Sequence, residues 1–259
     1  MTYLMESASE GTRLRAKTDA ARVLDELIST GLAEGAVALD AGCASGAVTE
    51  VMAARVGPRG RVYGVDLSQE RLAQARAQGT AGARFLRGDL ARLPLADSCV
   101  DYALCRLVLE YVAEPKPLVA ELLRVTRPGG RVVLVDVDGY GAFHYPLTEE
   151  RRAAVETIAA LLERAGFDAY SGRKLFHYLQ SAGAREVEVQ VRPYHLKAGA
   201  PDETFAANWT YKLRTLAKLG HWALGRDEYD RCAGVVLDML HDPAVLSYST
   251  LFLATGRRA

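Results

Sequence analysis

The first half of the chain alternates short apolar runs with stretches of helical period. Five runs predict strands, namely AVALD (36–40), RVYGVD (61–66), ARFLRGD (83–89), CVDYALC (99–105) and RVVLVDVD (131–138). Strands that are apolar on both faces are typical of a parallel sheet covered by helices on each side. Because crossovers between parallel strands are right-handed, the alternation predicts an α/β fold with a doubly wound, Rossmann-like sheet.

Helix signals separate these runs. A helix is predicted from Gly46 to about Arg55, and a second follows the N-cap residue Ser68 and extends to about Gln78. The segment PLVAELLRVTRPGG (117–130) predicts a third helix that ends at Pro128 and a double glycine. At the N-terminus, Leu14, Lys17, Ala21, Leu24 and Ile28 predict one helix that continues to about Thr30.

The pattern changes in the second half. Helices are predicted over 149–165 and 174–182, and a long helical region over 202–240. Two late strands, REVEVQVRPYHL (185–196) and YSTLFLATGR (248–257), predict an antiparallel hairpin that completes a seven-stranded, mostly parallel sheet. The helical pattern between these two strands, at about 200–240, predicts an insertion that acts as a lid over the binding cleft.

Composition narrows the function classes. The 259 residues are 49% hydrophobic, and 32 Lys plus Arg balance 32 Asp plus Glu. A neutral chain argues against a nucleic-acid partner bound through phosphate neutralisation. The four cysteines are scattered, without a CxxC pair, so no metal is expected. With no signal-peptide pattern and no apolar run of membrane length, we expect a cytoplasmic protein without a membrane partner.

The segment LDAGCASGAVTEVMA (39–53) places small residues in the turn after the first strand. Small residues let a ligand approach the backbone and a helix N-terminus, although a tight turn alone would also use them. The second and third strands end at Asp66 and Asp89. A glycine turn and two acids at one edge of the sheet together predict an adenosine site.

The spacing Asp40-x-Gly42-x-Ala44-x-Gly46 differs from the dinucleotide pattern G-x-G-x-x-G. It resembles the first motif of class I S-adenosylmethionine-dependent methyltransferases. The resemblance extends over 36–138 and includes the segments GDLARLPLADSCVDYALCRLVLEYV and ELLRVTRPGGRVVLVD. Within the family, the chain is similar to the small-molecule branch that methylates quinones and natural products. Two departures are Ala44 for the middle glycine, tolerated if its φ is negative, and Tyr111 where relatives often carry histidine.

The resemblance implies a role for each matching residue. Asp40 orients the loop and the methionine ammonium, Asp66 holds the ribose hydroxyls, and Arg106 supplies backbone near the methionine. The cofactor-binding set implied by the family comprises Tyr3, Arg13, Asp40, Gly42, Cys43, Ala44, Gly46, Asp66, Leu67, Gly88, Asp89, Leu90, Cys105 and Arg106. In the N-terminal segment, Tyr3, Arg13 and Lys17 are candidates to bind the carboxylate of the methionine. The alternative is that this segment is an amphipathic helix that only covers the sheet.

Acceptor residues must come from the variable segments. In the segment DVDGYGAFHYP (136–146), Tyr140 and His144 are candidates for contact with the acceptor. His144 is predicted to be either a general base for a phenol or enol or, equally, a partly buried histidine with a structural role. Phe205 and Trp209 lie on one face of a predicted helix, where they either close on an apolar substrate or pack in the core.

The predicted reaction is in-line transfer of the methyl group of S-adenosyl-L-methionine to a small aromatic or polyketide-like acceptor, with S-adenosyl-L-homocysteine as product. The alternatives are a nucleic-acid (tRNA) methyltransferase and a scaffold that keeps the cofactor but catalyses a rearrangement. We expect one domain, monomeric or homodimeric, with an N-terminal helical segment (1–30), a cofactor-binding core (31–140) and an acceptor side (141–259).

Overall fold

The computed structural model describes residues 10–259, apart from the side chains at positions 10, 12 and 140. Its strands are β1 (Val37–Ala41), β2 (Arg61–Asp66), β3 (Ala83–Arg87), β4 (Val100–Arg106), β5 (Thr126–Tyr145), β6 (Arg185–Lys197) and β7 (Leu246–Arg257). Its helices are α1 (Glu10–Lys17), α2 (Ala20–Ser29), α3 (Ala47–Val56), α4 (Gln69–Ala77), α5 (Pro115–Val125), α6 (Glu149–Arg164), α7 (Leu175–Ser181), α8 (Glu203–Leu224) and α9 (Arg226–His241). None of these helices is long and apolar enough to cross a membrane.

The seven strands form one sheet in the order β3-β2-β1-β4-β5-β7-β6. The first five are parallel, and β7 pairs antiparallel with both β5 and β6. The predicted doubly wound sheet with an antiparallel C-terminal hairpin is therefore confirmed. The strand order reverses between β1 and β4, where open α/β sheets bind ligands beyond the carboxyl ends of their strands.

Alternate residues of each central strand face opposite sides of the sheet, which is why both faces are apolar. On one side, Ala38, Tyr102 and Val133 pack against α2, α3, α6, α8 and α9. On the other side, Leu39, Ala103 and Val132 pack against α5 and α7. Since both faces are covered, ligand access is left to the ends of the strands.

The N-terminal helix prediction was wrong in two respects. The helix is broken at Thr18–Asp19, because the Asp19 carboxylate accepts hydrogen bonds from the backbone N–H groups of Ala21 and Arg22 and starts α2. The buried face of α2 carries Val23 and Leu27, whereas Leu24 and Ile28 are 37% and 52% exposed. The long helical region is likewise divided at Gly225, whose φ of +86° ends α8.

Candidate active site

A cleft of about 1730 Å³ opens at the carboxyl ends of β1, β2 and β4. Its floor is formed by the turns that follow these strands, and its walls by α1, the end of β6 and the first turns of α8. The predicted site residues that line it are Arg13, Asp40, Gly42, Cys43, Ala44, Asp66, Leu67, Asp89, Leu90, Arg106 and Phe205. The structure thus brings together, at one edge, residues that are up to 192 positions apart.

Two glycines of the turn after β1 serve different needs. Gly42 has φ +83°, and a Cβ there would lie 2.5 Å from Cγ2 of Val108, so a side chain would collide with the turn after β4. Gly46, also at φ +83°, is the N-cap of α3, where a Cβ would crowd Ala75 and Phe85. Gly42 therefore lets the turn after β4 pack against the turn after β1 at the cleft floor, whereas Gly46 permits close packing outside the cleft.

Ala44 has φ +47°, so the condition of a negative φ, under which alanine would be tolerated at this position, is not met. This left-handed conformation costs an L-residue about 1–2 kcal/mol. The backbone N–H of Ala44 donates to Oδ2 of Asp66 at 2.9 Å, and that bond holds the loop in this conformation. The middle position of the motif therefore has the backbone that glycine adopts without strain.

Replacing Ala44 with glycine is expected to raise the free energy of unfolding by up to about 1 kcal/mol, because relief of φ strain exceeds the entropy cost of glycine. Chemical denaturation measures the change. The control is Ala54→Gly, at an exposed position inside α3, which should lower stability by about 0.5–1 kcal/mol. An Ala44→Gly protein that loses as much stability as the control would contradict the strained geometry.

Asp66 joins the first two cleft loops. Its carboxylate accepts hydrogen bonds from the backbone N–H groups of Ala44 and Ser68, the latter at 2.8 Å to Oδ1. Nε of Arg71 lies 3.6 Å from Oδ1. Each carboxylate oxygen has two acceptor sites, so both oxygens can still accept a hydroxyl from a ligand in the cleft.

Asp40 lies almost completely buried beneath the same loop. Oγ1 of Thr49 donates to its Oδ2 at 2.6 Å. Burial raises the pKa of Asp40 to about 6, and the Thr49 hydrogen bond only partly opposes that rise. A buried carboxylate of this kind favours a positively charged ligand group, which would restore its ionised form.

Arg106, at the end of β4, lines the cleft and pairs with Glu26 of α2. Its Nε donates to Oε2 of Glu26 at 2.8 Å and its Nη2 to Oε1 at 3.3 Å, and both side chains are nearly buried. Cys105 points the other way, into the core, and does not line the cleft. Burial raises the pKa of the Cys43 and Cys105 thiols, so neither sulfur is an activated nucleophile.

Helix α1 connects the glycine turn to the opposite wall of the cleft. Arg15 binds both carboxylate oxygens of Glu50 at 2.8 Å and donates to the Ser45 carbonyl. Nη1 of Arg13 donates to Oδ1 of Asn208 on α8 at 2.8 Å. Arg13 and Lys17 line the cleft, whereas Tyr3 lies outside the described residues.

Comparison with known proteins places this geometry in a family. Residues 39–134 match the family described as "Methyltransferase domain". An uncharacterized 37.1 kDa protein in transposon TN4556 of Streptomyces fradiae is 37% identical over 65% of the chain and 49% of its own length. The malonyl-(acyl-carrier protein) O-methyltransferase of Pectobacterium atrosepticum is 32% identical over 70% of the chain and 68% of its own length.

The chain belongs to the class I S-adenosylmethionine-dependent methyltransferases. It spans about half the length of the Streptomyces protein and about two thirds of the Pectobacterium enzyme. A crystal structure of a SAM-dependent methyltransferase from Aquifex aeolicus shares the fold, with a TM-score of 0.53 and 22% identity over 73% of this chain and 92% of that one. The cofactor of this methyltransferase is S-adenosylmethionine.

The residues of the methyltransferase cleft fit that cofactor. Asp66 offers acceptors to hydroxyls, and buried Asp40 lines the cleft, where it would stabilise a cation. Leu67 and Leu90 supply apolar surface beside Asp89. Gly88 does not line the cleft, since its role is to admit Pro94, whose Cδ would lie 2.6 Å from a Cβ at that position.

His144 is not placed in the cleft of the methyltransferase. Its Nε2 is 3.0 Å from the Gly141 carbonyl, which can only accept, and its Nδ1 is 2.9 Å from Oγ of Ser247. The proton therefore lies on Nε2, both ring nitrogens are engaged, and burial lowers the pKa of the ring. The geometry of His144 therefore matches the alternative of a buried histidine with a structural role, and not that of a general base. The Tyr140 side chain lies outside the described residues.

Phe205 and Trp209, both in the first two turns of α8, lie in different environments. Phe205 lines the cleft, whereas Trp209 is 6% exposed and packs in the core. Beneath the cleft, Trp209 also lines a second cavity of about 80 Å³, called here the inner chamber, with Ile158, Phe167, Glu110 and Lys212. Of the two alternatives, Trp209 thus matches packing and Phe205 remains a candidate for substrate contact.

Sequence reasoning missed the acidic pair Glu110 and Asp136. The backbone N–H of Glu110 donates to Oδ2 of Asp136 at 3.0 Å, and both side chains are buried. Burial raises the pKa of both carboxyls, and Glu110 raises that of Asp136 further. A signal was present, because an aspartate inside the apolar run RVVLVDVD must find hydrogen bonds within the core.

Proposed function

We propose that this methyltransferase transfers the methyl group of S-adenosylmethionine to a small aromatic or polyketide-like acceptor. The observation that carries the proposal is the size and lining of the cleft. Pockets for a single drug-sized molecule measure about 300–1,000 Å³. At about 1730 Å³ the cleft has room for the cofactor and a second molecule beside it.

The cofactor occupies the floor in this proposal, with its roles taken from the family and from the contacts above. Asp66 accepts from the ribose hydroxyls, Leu67 and Leu90 pack on the adenine, and Asp89 accepts from its amine. Asp40 stabilises the methionine ammonium, and Arg13 or Lys17 from α1 binds its carboxylate. Since α1 is fixed over the glycine turn by Arg15, these cations are in place before the cofactor arrives.

Bound S-adenosylmethionine supplies a methyl group on a sulfonium, which an in-line nucleophile displaces. The protein aligns the two molecules and excludes water. Helix α8 supplies the wall that closes over the acceptor, because its first turns line the cleft from Asp202 to Tyr211. Phe205 and Tyr211 are aromatic residues of this wall, and Phe205 contacts the acceptor.

Affinity for S-adenosylhomocysteine is expected to fall as the pH drops below about 6. In the free protein Asp40 has its pKa raised to about 6, so acid converts it to the neutral form. Only the carboxylate attracts the ammonium of the ligand, and the affinity is therefore highest above that pKa and lost below it. Calorimetric titrations at pH values on either side of 6 measure this, with Asp40→Asn as the control that removes the dependence; a profile that is identical in both proteins would exclude Asp40.

The experiment that tests the proposed function follows the methyl label. The protein is incubated with S-adenosylmethionine labelled in the methyl group, together with small-molecule extract, tRNA and denatured protein. Label is expected in the small-molecule fraction, where a mass gain of one methylene unit identifies the acceptor. Label that enters only tRNA would establish the alternative nucleic-acid activity, and an unlabelled product that requires the cofactor would indicate a rearrangement.

A further inference from the structure

Strand β6 lies at an edge of the sheet, and its outer side pairs with no strand of the described part of the chain. Its register with β7 is regular over 188–194, so alternate residues direct their N–H and C=O groups to opposite sides of the strand. The carbonyl of Pro193 accepts a hydrogen bond from Arg22 and not from β7, and it therefore points outward. Val189 and Val191 alternate in phase with Pro193, so their backbone groups point outward as well.

Exposed apolar side chains flank this edge on both faces of the sheet. On the face that carries α7, Val189, Val191 and Phe176 are exposed. On the opposite face, α2 reaches the edge through its hydrogen bonds with Arg192, and Ile28 of that helix is exposed. An edge strand with apolar side chains and unpaired backbone groups is a template for pairing with another strand.

The sequence of this edge is complementary to a second copy of itself in the antiparallel orientation. When Gln190 lies on a two-fold axis, Val189 of each copy faces Val191 of the other, and Glu188 faces Arg192. The two valines, whose backbone groups point outward, then form the hydrogen-bonded pairs of the junction. Apolar residues therefore face apolar residues, and a negative charge faces a positive one.

Neighbouring registers fit less well. An axis at Glu188 would set two glutamates against each other. An axis at Val189 would require outward bonds from Val187, which lies in the irregular part of the strand before residue 188. An axis at Val191 would require them from Pro193, which has no N–H. The register on Gln190 uses only the regular part of the edge.

We propose that two copies of the chain pair through β6 into a dimer, with a two-fold axis at Gln190 that joins the two sheets. Such an axis is perpendicular to the sheet, so the exposed residues of β6 and α7 from both copies share one face and Ile28 of both copies shares the other. Arg192 then lies between two carboxylates, Asp25 of its own chain and Glu188 of the second copy. An extended peptide added to β6 would cover the backbone edge alone, whereas a second copy covers both apolar flanks.

The dimer goes beyond the proposed function and bears on the same cleft. Arg192 and Pro193 line the cleft where β6 ends. The junction therefore holds in place the strand that forms one wall of the cleft.

Sedimentation equilibrium of the full chain measures the association. The parent protein is expected to have the mass of two chains and to dissociate on dilution. Val191→Lys is expected to raise the dissociation constant at least about tenfold, because it brings two ammonium groups into the junction. Trp222→Lys is the matched control, since Trp222 is also an exposed apolar residue but lies near the C-terminal end of α8, and it should leave the constant unchanged.

Disulfide formation tests the register without adding a charge. The variants are made in a Cys99→Ser background, because Cys99 is the cysteine that is not buried. Gln190→Cys sets one thiol of each copy directly opposite the other, at a Cα separation of about 4.5 Å that a disulfide spans. Val189→Cys is the control, because its two copies lie diagonally, about 7–8 Å apart. Oxidation is expected to link Gln190→Cys into a covalent dimer and to leave Val189→Cys unlinked.

Three results would overturn the proposal, namely a parent protein that is monomeric at every concentration, a dimer that survives Val191→Lys, and preferential linking of Val189→Cys over Gln190→Cys. Calorimetry with S-adenosylhomocysteine shows that each variant is folded. A monomeric parent that binds S-adenosylhomocysteine refutes the dimer and leaves the proposed function standing.

Discussion

Replacing Trp209 with alanine is expected to lower the free energy of unfolding by about 3–5 kcal/mol, the usual cost of removing a large aromatic ring from a core. The ring is 6% exposed and packs with Leu213 and Leu216 in the core between α8 and the sheet. It also closes against Gly141, where a Cβ would lie 2.8 Å from its Cη2 atom. Thermal unfolding measures the loss as a drop of roughly 6–20 °C in Tm.

Trp222→Ala is the matched control for this prediction. Trp222 is on the same helix but is 77% exposed, so its removal should change stability by less than about 0.5 kcal/mol. Phe205→Ala should lower Tm by less than Trp209→Ala does, because Phe205 is only partly buried against the core, and it should weaken acceptor use. If Trp209→Ala unfolds at the temperature of the parent protein but turns over poorly, Trp209 belongs to a mobile lid and the packing assignment is wrong.

Asp66→Ala is expected to weaken S-adenosylhomocysteine binding by at least roughly tenfold. In the proposed binding mode, two ribose hydroxyls lose a charged acceptor, at about 1.5–3 kcal/mol for each bond with incomplete additivity. The same change leaves the N–H groups of Ala44 and Ser68 without their acceptor, which loosens the first two cleft loops. Isothermal calorimetry on protein that is shown to be folded gives the dissociation constant.

Asp101→Ala provides the control for this loss. Asp101 also accepts a backbone hydrogen bond, from Val37 at 2.7 Å, but it lies at the start of β4, on the opposite edge of the sheet from the cleft. Its removal should cost stability without changing the affinity for the cofactor product. An Asp66→Ala protein that is folded and binds as tightly as the parent would remove Asp66 from the site.

The central sheet was predictable because its signals are local. Each strand is an apolar run bounded by polar residues, and Ser68 caps α4 as its position before Gln69 predicts. The late strand REVEVQVRPYHL alternates with a period of two, and the predicted antiparallel hairpin pairs it with the final apolar strand. These features depend on neighbours within a few residues, which the sequence displays directly.

The buried face of α2 was not predictable in this way. Glu26 is 3% exposed because its carboxylate binds Arg106, which lies 80 positions away at the end of β4. Periodicity assigns a glutamate to solvent, and the apolar face is then misplaced onto Leu24 and Ile28. The break at Asp19 did have a local signal, since aspartate is a preferred N-cap residue.

The cofactor side of the cleft was easier to predict than the acceptor side, because its residues follow directly from strands with local signals. Asp40, Asp66 and Asp89 each follow directly from the end of a strand, and parallel strands bring these ends to one edge. His144 and Glu110 also lie near that edge. Their orientation, towards Ser247 in one case and into the inner chamber in the other, depends on packing with distant elements that no spacing encodes.

The most direct test of the central claim is calorimetric titration of the protein with S-adenosylhomocysteine and, separately, with NAD. The spacing from Asp40 to Gly46 and the carboxylates at positions 66 and 89 predict binding of S-adenosylhomocysteine to one site and no measurable binding of NAD. Tighter binding of NAD than of S-adenosylhomocysteine would contradict the account of this cleft.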